Sequence, residues 1–233
     1  MSVYVLIPAA GMGRRMGASV NKQYLPLGDR PVLSHTIALF DRHPGIDHIF
    51  VICPEAEFPL CRREVIDPYD FRKVRGLVAG GAERQDSVRN GLQACQAAEG
   101  DIVLIHDGAR PLLPPALIEP TVAAAQQCGA AIVGVPVKDT IKLVTDGMID
   151  STPDRSLLWQ AQTPQAFRFG LIRDAHAQAL QQHHKGTDDA SLIEWLGGRV
   201  AMIEGSYRNI KITTPEDLVL AQAFLDTPGD FQA

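Results

Sequence analysis

Short apolar runs rich in valine and isoleucine alternate along the chain with longer segments of helix length. Several of the runs are continuously apolar, which is typical of strands buried on both faces of a parallel sheet. The pattern predicts strands at residues 4–8, 48–53, 74–79, 102–106, 131–137, 200–203 and 209–213. It predicts helices near residues 32–42, 84–97, 115–128, 170–182, 188–196 and 215–225. This alternation indicates an α/β fold with a doubly wound, mostly parallel sheet.

The last predicted helix has the clearest start signal. Thr214 can act as the N-cap, Pro215 fits the first helical position, and Glu216 and Asp217 place negative charge in the first turn. Each of these residue types is favoured at that position of a helix. The helix is therefore expected to begin at Pro215.

One segment breaks the alternation of strands and helices. Residues 138–163 alternate polar and apolar positions around the pair Asp146 and Gly147. An Asp-Gly pair between two alternating runs is a strong hairpin signal. The segment is predicted to form a β-hairpin arm that protrudes from a single domain spanning residues 1–233.

Composition narrows the class of protein. The 233 residues suit one α/β domain, and a chain that is 45% hydrophobic and 21% charged can bury a sizeable core. The net charge of -5 argues against a nucleic-acid binder but leaves room for a local basic pocket. The four cysteines form no CxxC pair and are interpreted as reduced thiols. Without a signal-peptide pattern or an apolar stretch of about 18 residues, a cytoplasmic protein with no membrane partner is expected.

Three loops that directly follow predicted strands are candidate ligand-binding segments. In a doubly wound sheet, ligands bind outside the carboxyl ends of the strands. The residues at those places read AAGMGRRMG, AGGAERQDS and HDGARP. All three are rich in small and charged residues, which indicates a functional crevice at that edge of the sheet.

The first loop, PAAGMGRRMG, is compatible with more than one phosphate-binding device. A Walker A loop needs GxxxxGK[ST], and Ala18 after Gly17 excludes it. The dinucleotide fingerprint GxGxxG lacks its third glycine here, and two arginines in the turn are unusual for a nicotinamide site. A nucleotidyltransferase loop fits better, because small residues let backbone N–H groups approach triphosphate oxygens while Arg15 and Lys22 add positive charge. An exposed turn with solvated arginines is the alternative.

Seven segments carry a resemblance that extends over nearly the whole chain. They read PAAGMGRRMG with NKQYLPLGDRPVL, GGAERQDSVRNGL, HDGARP, PVKDTIK, LWQAQTPQAF, TDDAS and NIKITTPEDL, in this order between about residue 3 and residue 225. Together they closely resemble the 2-C-methyl-D-erythritol 4-phosphate cytidylyltransferase family of the non-mevalonate isoprenoid route. The joint occurrence is specific, although any single segment would be weak.

The resemblance implies that the chain transfers CMP from CTP to 2-C-methyl-D-erythritol 4-phosphate and releases pyrophosphate. One anion attacks another in such a reaction, so positioning and charge neutralisation dominate and no nucleophilic residue is needed. The chain agrees, since no Ser-His-Asp or Cys-His set is evident.

The resemblance also implies which residues bind the nucleotide. Arg15 and Lys22 match the pair that stabilises the pentacovalent transition state. The second loop is expected to receive the cytosine ring, and capping of the helix is an alternative role for Ser87 that is compatible with this one. The residues expected to bind CTP are Pro8, Ala9, Ala10, Gly11, Gly13, Arg15, Lys22, Gly80, Gly81, Arg84 and Ser87.

The acceptor side is implied in the same way. Asp107 is expected to bind Mg²⁺ or another divalent cation and to contact the substrate, although it could be only an N-cap. Lys211 is expected to position the attacking phosphate, although a lone lysine on a strand is usually solvated. The residues expected to bind the acceptor are Asp107, Arg110, Thr140, Arg155, Thr163, Thr187 and Lys211.

The arm has an implied role in assembly. A two-stranded arm is marginally stable alone and needs a surface to pack against. The resemblance implies a homodimer in which each arm reaches the neighbour's active site, where Arg155 holds the substrate phosphate with Thr140 beside it. Thr163 and Thr187 are further pocket candidates, and Thr187 is equally well explained as an N-cap.

Other functions remain open on the sequence alone. A cytidylyltransferase for ribitol 5-phosphate or another polyol phosphate would use the same mechanism, with the choice set by loops around Asp107, Thr163 and Thr187. A non-catalytic nucleotide-binding subunit on the same fold is a second alternative, against which the retained set Arg15, Lys22, Asp107, Arg155 and Lys211 argues. A nicotinamide dehydrogenase is a third, which a test of NAD binding would decide.

Overall fold

A computed structural model describes residues 1–11 and 21–227 of the chain. Its strands are β1 (Val3–Pro8), β2 (Pro26–Leu27), β3 (Arg30–Pro31), β4 (His48–Cys53), β5 (Val74–Ala79), β6 (Ile102–Ile105), β7 (Ala130–Pro136), β8 (Leu143–Thr145), β9 (Met148–Ser151), β10 (Trp159–Arg168) and β11 (Ala201–Glu204). Its α-helices are α1 (Val32–Arg42), α2 (Phe58–Cys61), α3 (Arg84–Ala94), α4 (Ile118–Cys128), α5 (Phe169–Gln181), α6 (Asp189–Trp195) and α7 (Pro215–Asp226). None of these helices is long and apolar enough to span a membrane.

The central sheet has the strand order β11-β7-β10-β6-β1-β4-β5. Neighbouring strands pair in parallel except at β10, which is antiparallel to both β6 and β7. The chain moves from β1 outward to β4 and β5 and then returns to β6 on the other side of β1. The predicted doubly wound, mostly parallel sheet is therefore confirmed, and its topological switch point lies between β1 and β6.

Helices cover both faces of the sheet. On one face, Leu33 and Phe40 of α1 and Ile118 of α4 belong to the same buried cluster as Val5 and Ile7 of β1. On the other face, α3 packs against β1, β4 and β5, α5 packs against β10, and α6 packs against β7. A smaller cluster beneath α7 joins it to β2 and to the start of α1. Strands buried from both sides explain why the sequence shows continuous apolar runs instead of strict alternation.

The hairpin arm is present, but it is shorter than residues 138–163. β8 and β9 form an antiparallel pair around Asp146 and Gly147, whose φ angles of 51° and 81° are those of a type I′ turn. Residues 159–163, which the pattern assigned to the arm, instead begin β10 in the central sheet.

The pattern of apolar residues did not predict β10, because this strand contains buried polar side chains. Gln162 donates to the carbonyl of Ser206, and Gln165 donates to the carboxylate of Asp188, so these amides are buried without loss of hydrogen bonds. Pro164 also argues against a central strand. A register shift between Ala161 and Gln165 in the pairing with β7 accommodates it.

The predicted strand at residues 209–213 is not formed. The segment makes one backbone hydrogen bond to the loop after β6, from the Ile212 N–H to the Ala109 carbonyl, and no ladder. Within this segment, Ile212 and Asn209 are fully buried while Lys211 is exposed. Side-chain burial alone therefore produced the strand-like pattern.

Buried hydrogen bonds hold the segment that follows β6. Thr163 Oγ1 on β10 accepts from the Asp107 N–H at 3.1 Å and lies 3.1 Å from His106 Nδ1. His106 Nε2 lies 3.0 Å from the Arg110 carbonyl oxygen. A neutral imidazole satisfies all of these contacts when the Thr163 hydroxyl donates to Nδ1 and the Nε2–H donates to the carbonyl. Burial lowers the pKa of His106 to about 4.

His106→Gln is expected to flatten the pH dependence of stability between about pH 4 and pH 6.5. The imidazole of the unfolded chain has a pKa of about 6.5, whereas the folded one has a pKa of about 4. Between these values the unfolded chain binds the extra proton, so the free energy of unfolding falls as the pH falls. The contribution of one such group, complete above about pH 6.5, is about 3 kcal/mol.

Urea unfolding of the wild type and His106→Gln between about pH 4.5 and pH 7 measures this slope. The same exchange at the exposed His183 controls for the substitution itself. Parallel stability profiles for wild type and His106→Gln would show that His106 does not titrate on unfolding in this range.

Candidate active site

A cleft of about 390 Å³ lies at the carboxyl ends of β1 and β6, beside the start of α3. Its walls contain most of the predicted nucleotide-binding residues, namely Pro8, Ala9, Ala10, Gly11, Lys22, Gly81, Arg84 and Ser87. Asp107 and Lys211, predicted for the acceptor, line the same cleft. Gly13 and Arg15 lie outside the described residues. The cleft sits at the switch point of the sheet, which is where α/β folds bind ligands.

Close backbone packing explains the glycines of the second loop. A Cβ on Gly80 would lie 2.8 Å from the Ala10 Cβ, and a Cβ on Gly81 would lie 2.3 Å from the Asp86 Cβ. Gly80 is not among the residues that line the cleft, so it packs behind the wall while Gly81 forms part of it. The first and second loops can approach each other this closely only because Gly80 lacks a side chain, whereas the missing side chain of Gly81 lets the second loop fold against the start of α3.

Ser87 stabilises this loop and is not the helix cap. Its Oγ accepts from the Gly81 N–H at 3.0 Å and donates to the Glu83 carbonyl at 3.1 Å. Glu83 occupies the N-cap, and its N–H donates to the Asp86 carboxylate at 3.2 Å. The hydroxyl therefore holds the backbone of the cleft wall in place.

Cationic side chains converge on one carboxylate in the cleft. Lys211 Nζ lies 2.8 Å from Asp107 Oδ2, Arg84 Nε lies 3.3 Å from Oδ1, and Arg110 Nε lies 3.6 Å from Oδ2. Burial raises the pKa of the Asp107 carboxyl, but the three positive charges outweigh it and hold the pKa well below its usual range. Asp107 is therefore ionised and is not a proton donor at neutral pH.

Lys22 approaches the same region from the opposite wall. Its ammonium donates to the carbonyl oxygen of Ile212 at 2.7 Å, and Ile212 directly follows Lys211. The residues Lys211 and Ile212 thus bring two ammonium groups to the lining of the cleft, one of their own and that of Lys22. This concentration of positive charge suits a ligand with several phosphate groups.

Arg84 has a second, buried carboxylate partner that sequence reasoning missed. Asp189 Oδ2 lies 2.7 Å from Arg84 Nη1, and Asp189 Oδ1 lies 3.2 Å from His176 Nε2. Both Asp189 and His176 are 1% exposed. The segment TDDAS contains the signal, since it has two adjacent aspartates where one N-cap suffices.

Other missed residues lie in the cleft wall. Gln23 is buried, lines the cleft, and donates its amide to the Ala9 carbonyl. Ala82, Glu83, Gly108 and Ala109 also line it. They are neighbours of predicted residues, and only the folded loop geometry shows which of them face the cavity.

Arg110 and Thr163 do not line the cleft but form hydrogen bonds with the segments that do or that lie behind them. The Arg110 guanidinium donates to the Asn209 carbonyl at 2.7 Å and is largely buried. Thr163 is 5% exposed, and its hydroxyl is engaged by the Asp107 N–H and by His106. In this arrangement their partners are the protein's own loops.

Thr187 is exposed and lies at a neighbouring cavity, together with Glu83 and Arg84. The interpretation of Thr187 as an N-cap is wrong, because Asp188 caps α6 by accepting from the Ser191 N–H at 2.9 Å. The cap falls one residue later because the chain provides two candidates side by side.

Thr140 and Arg155 lie on the arm and do not line this chain's own cleft. Both are exposed, and Arg155 donates to the carbonyl of Lys138 at 2.6 Å. Their expected action on a neighbouring copy stays a prediction.

Comparisons with known proteins agree with this geometry. A model of the 2-C-methyl-D-erythritol 4-phosphate cytidylyltransferase family matches residues 3–227. Enzymes of that name from Geotalea uraniireducens and Geobacter metallireducens are 56% and 55% identical to this chain; the alignments cover 97% of this chain in each case and 97% and 98% of those enzymes. The crystal structure of 4-diphosphocytidyl-2C-methyl-D-erythritol synthase from Anaerococcus prevotii matches with a TM-score of 0.85 at 34% identity, over 97% of this chain and 96% of that one. The chain belongs to the 2-C-methyl-D-erythritol 4-phosphate cytidylyltransferase family.

Proposed function

We infer that this enzyme transfers CMP from CTP to 2-C-methyl-D-erythritol 4-phosphate, giving 4-diphosphocytidyl-2-C-methyl-D-erythritol and pyrophosphate in isoprenoid precursor biosynthesis. The family, matched over residues 3–227, supports this reaction. The observation that carries it is the convergence of Arg84, Lys211 and Lys22 on one cleft at the switch point of the sheet.

The chemistry needs no nucleophilic side chain. A phosphate oxygen of the acceptor forms a bond to the α-phosphorus of CTP, while the bond from that phosphorus to the bridging oxygen of the β-phosphate breaks. Pyrophosphate leaves with the electron pair. Both reactants are anions, so the protein contributes alignment and positive charge.

Each cation has a proposed place in this reaction. Lys22, together with Arg15, stabilises the charge that develops on the transferring phosphoryl group. Lys211 positions the attacking phosphate, and its contact with Asp107 supports this role because the carboxylate holds the ammonium at the cleft before a ligand enters. Arg84, between the Gly81 loop and Asp107, binds the nucleotide.

The donor set of the cleft fits a magnesium ion shared with substrate. The described residues contain no cluster of three or more His, Cys, Asp or Glu that could hold a metal alone. Mg²⁺ is commonly held by one or two carboxylates together with substrate phosphates, and Asp107 supplies such a carboxylate. When bound, the ion would neutralise charge on the triphosphate. Its entry would replace contacts of Asp107 with Arg84 or Lys211.

We propose that the arm mediates a homodimer. Leu143, Val144, Met148 and Ile149 on β8 and β9 are each more than half exposed. Clustered exposed apolar side chains on a two-stranded ribbon need a partner surface. A second copy that covers the arm would bring Arg155 and Thr140 towards the neighbour's cleft, as the resemblance implies.

A cytoplasmic location is part of the proposal. All four cysteines are free thiols, and three of them, Cys53, Cys61 and Cys95, are buried. Free thiols are typical of proteins kept in a reducing compartment.

Lys22→Ala is expected to lower kcat by about a hundredfold to a thousandfold, because it removes a donor that acts on charge formed in the transition state. Pyrophosphate release by the purified enzyme with Mg²⁺, CTP and 2-C-methyl-D-erythritol 4-phosphate measures the rate. Lys73→Ala is the control. Lys73 precedes β5 and therefore lies at the amino ends of the strands, away from the cleft at their carboxyl ends.

Parallel reactions with ribitol 5-phosphate and with each other nucleoside triphosphate test the substrates. Release with ribitol 5-phosphate alone would keep the mechanism and overturn the acceptor. Binding of CTP without release with any acceptor would overturn catalysis in favour of a non-catalytic subunit.

Ile149→Lys is expected to convert the dimer to a monomer and to remove most of the activity. The substitution places a charge in the apolar surface of the arm, where it would have to be buried on assembly. Sedimentation equilibrium and the initial rate are measured together. Val219→Lys on α7 is the matched control, because Val219 is 73% exposed and Ile149 is 62% exposed. An active monomer would contradict the role of the arm.

A further inference from the structure

A chain of polar side chains runs from the cleft into the protein between three helices. Lys211 contacts Asp107, Asp107 contacts Arg84, Arg84 contacts Asp189, and Asp189 contacts His176, with atom distances of 2.8, 3.3, 2.7 and 3.2 Å. Arg84 begins α3, Asp189 begins α6 and His176 lies on α5. Asp189 and His176 do not line the cleft, and the side chain that connects them to it is Arg84.

The two carboxylates hold the guanidinium through different nitrogen atoms. Asp107 faces Nε, whereas Asp189 faces Nη1. Because the guanidinium is planar, contacts at two of its nitrogens define both its position and the orientation of its plane. Other N–H donors of the same group then point in a defined way for a nucleotide.

Asp107 cannot provide this orientation alone while a ligand is bound. Substrate phosphates would compete for its cationic partners, including Arg84, and a shared cation would compete for its oxygen atoms. Asp189 is fully buried, where no ligand competes for it. Its bond to Arg84 can persist throughout the reaction.

His176 fixes the other oxygen of Asp189. With a proton on Nε2, the imidazole donates to Asp189 Oδ1 at 3.2 Å, and Nδ1 has no hydrogen-bond partner among the described residues. Placing a proton on Nδ1 would leave a buried N–H group unsatisfied. The surroundings therefore favour the tautomer that orients Asp189.

Resting on the proposed function, we propose that Asp189 is a positioning residue for Arg84 in nucleotide binding and that His176 acts through Asp189. Arg84 contacts the nucleotide in the ground state and in the transition state alike. Loss of its orientation therefore weakens CTP binding more than it slows the chemical step.

Asp189→Asn keeps the shape of the side chain and removes its charge. We expect the KM for CTP and the Kd for CTP from calorimetry to rise by about tenfold or more, since hydrogen bonds to charged groups are the strong ones. We expect kcat and the KM for the acceptor to change by less than about threefold. Asp101→Asn is the matched control. The Asp101 carboxylate accepts hydrogen bonds from the Ser2 and Ala98 N–H groups at the amino ends of the strands, away from the cleft.

The His176 variants provide a test that does not alter the buried carboxylate. His176→Leu removes the donor to Asp189 and is expected to raise the Kd for CTP by about threefold to tenfold. His176→Gln places an amide N–H near the position of Nε2 and is expected to restore binding to within about twofold of wild type.

A double-mutant cycle separates positioning from general stability. In the Arg84→Met background, Asp189→Asn is expected to change the Kd for CTP by less than about twofold, because the group it positions is gone. An equal effect of Asp189→Asn with and without Arg84, or equal effects of His176→Leu and His176→Gln, would overturn the proposal. If the wild-type enzyme binds CTP but uses another acceptor, the proposed reaction is contradicted. The positioning role of Asp189 can still be tested, because its test measures CTP binding.

Discussion

The ionised carboxylate of Asp107 is the constraint on which the cleft depends. Arg84, Lys211 and Arg110 each lie within 3.6 Å of it, and without an anion between them their positive charges would repel one another. One negative charge among them offsets this repulsion and holds the cations in place before substrate arrives. Ligand binding is then an exchange of anionic partners around cations that are already assembled.

The backbone provides the rigidity that such an exchange requires. The segment after β6 is held from beneath by Thr163 and His106, and the second loop is packed against the first at Gly80. Both arrangements use main-chain groups and buried side chains, which a bound ligand does not displace. The charged side chains can therefore change partners while the walls of the cleft stay in place.

The sequence predicts much of this structure, and the failures share a physical cause. Apolar runs located β4 and β5 at their observed bounds, and the helix pattern located α1, because burial on a regular element leaves a local signature. β10 was missed because its glutamines form hydrogen bonds with residues distant in the chain, which no local pattern reveals. Residues 209–213 looked like a strand because one side of an irregular segment is buried.

The candidate site likewise contains residues that local motifs predict and residues that only distant contacts bring into place. Motif residues in the loops after the strands converge on the cleft as predicted, because strand ends meet at one edge of a parallel sheet. The two adjacent aspartates of TDDAS are a signal for a further role, but the sequence does not show that Asp189 and His176 lie behind Arg84. Their contacts join α3, α5 and α6, and only the packed structure brings these helices together.

The course of β10 constrains how the chain length can vary. The strand leaves the base of the arm at Trp159, opposite Pro136, and a few residues later provides the Thr163 hydroxyl beneath the Asp107 loop. An insertion or deletion of one residue between Trp159 and Thr163 would turn the following side chains to the opposite face of the sheet and remove that hydroxyl from its place. A change of length near the Asp146 turn would alter only the reach of the arm. Length variation among related chains is therefore expected at the tip of the arm and not at its base.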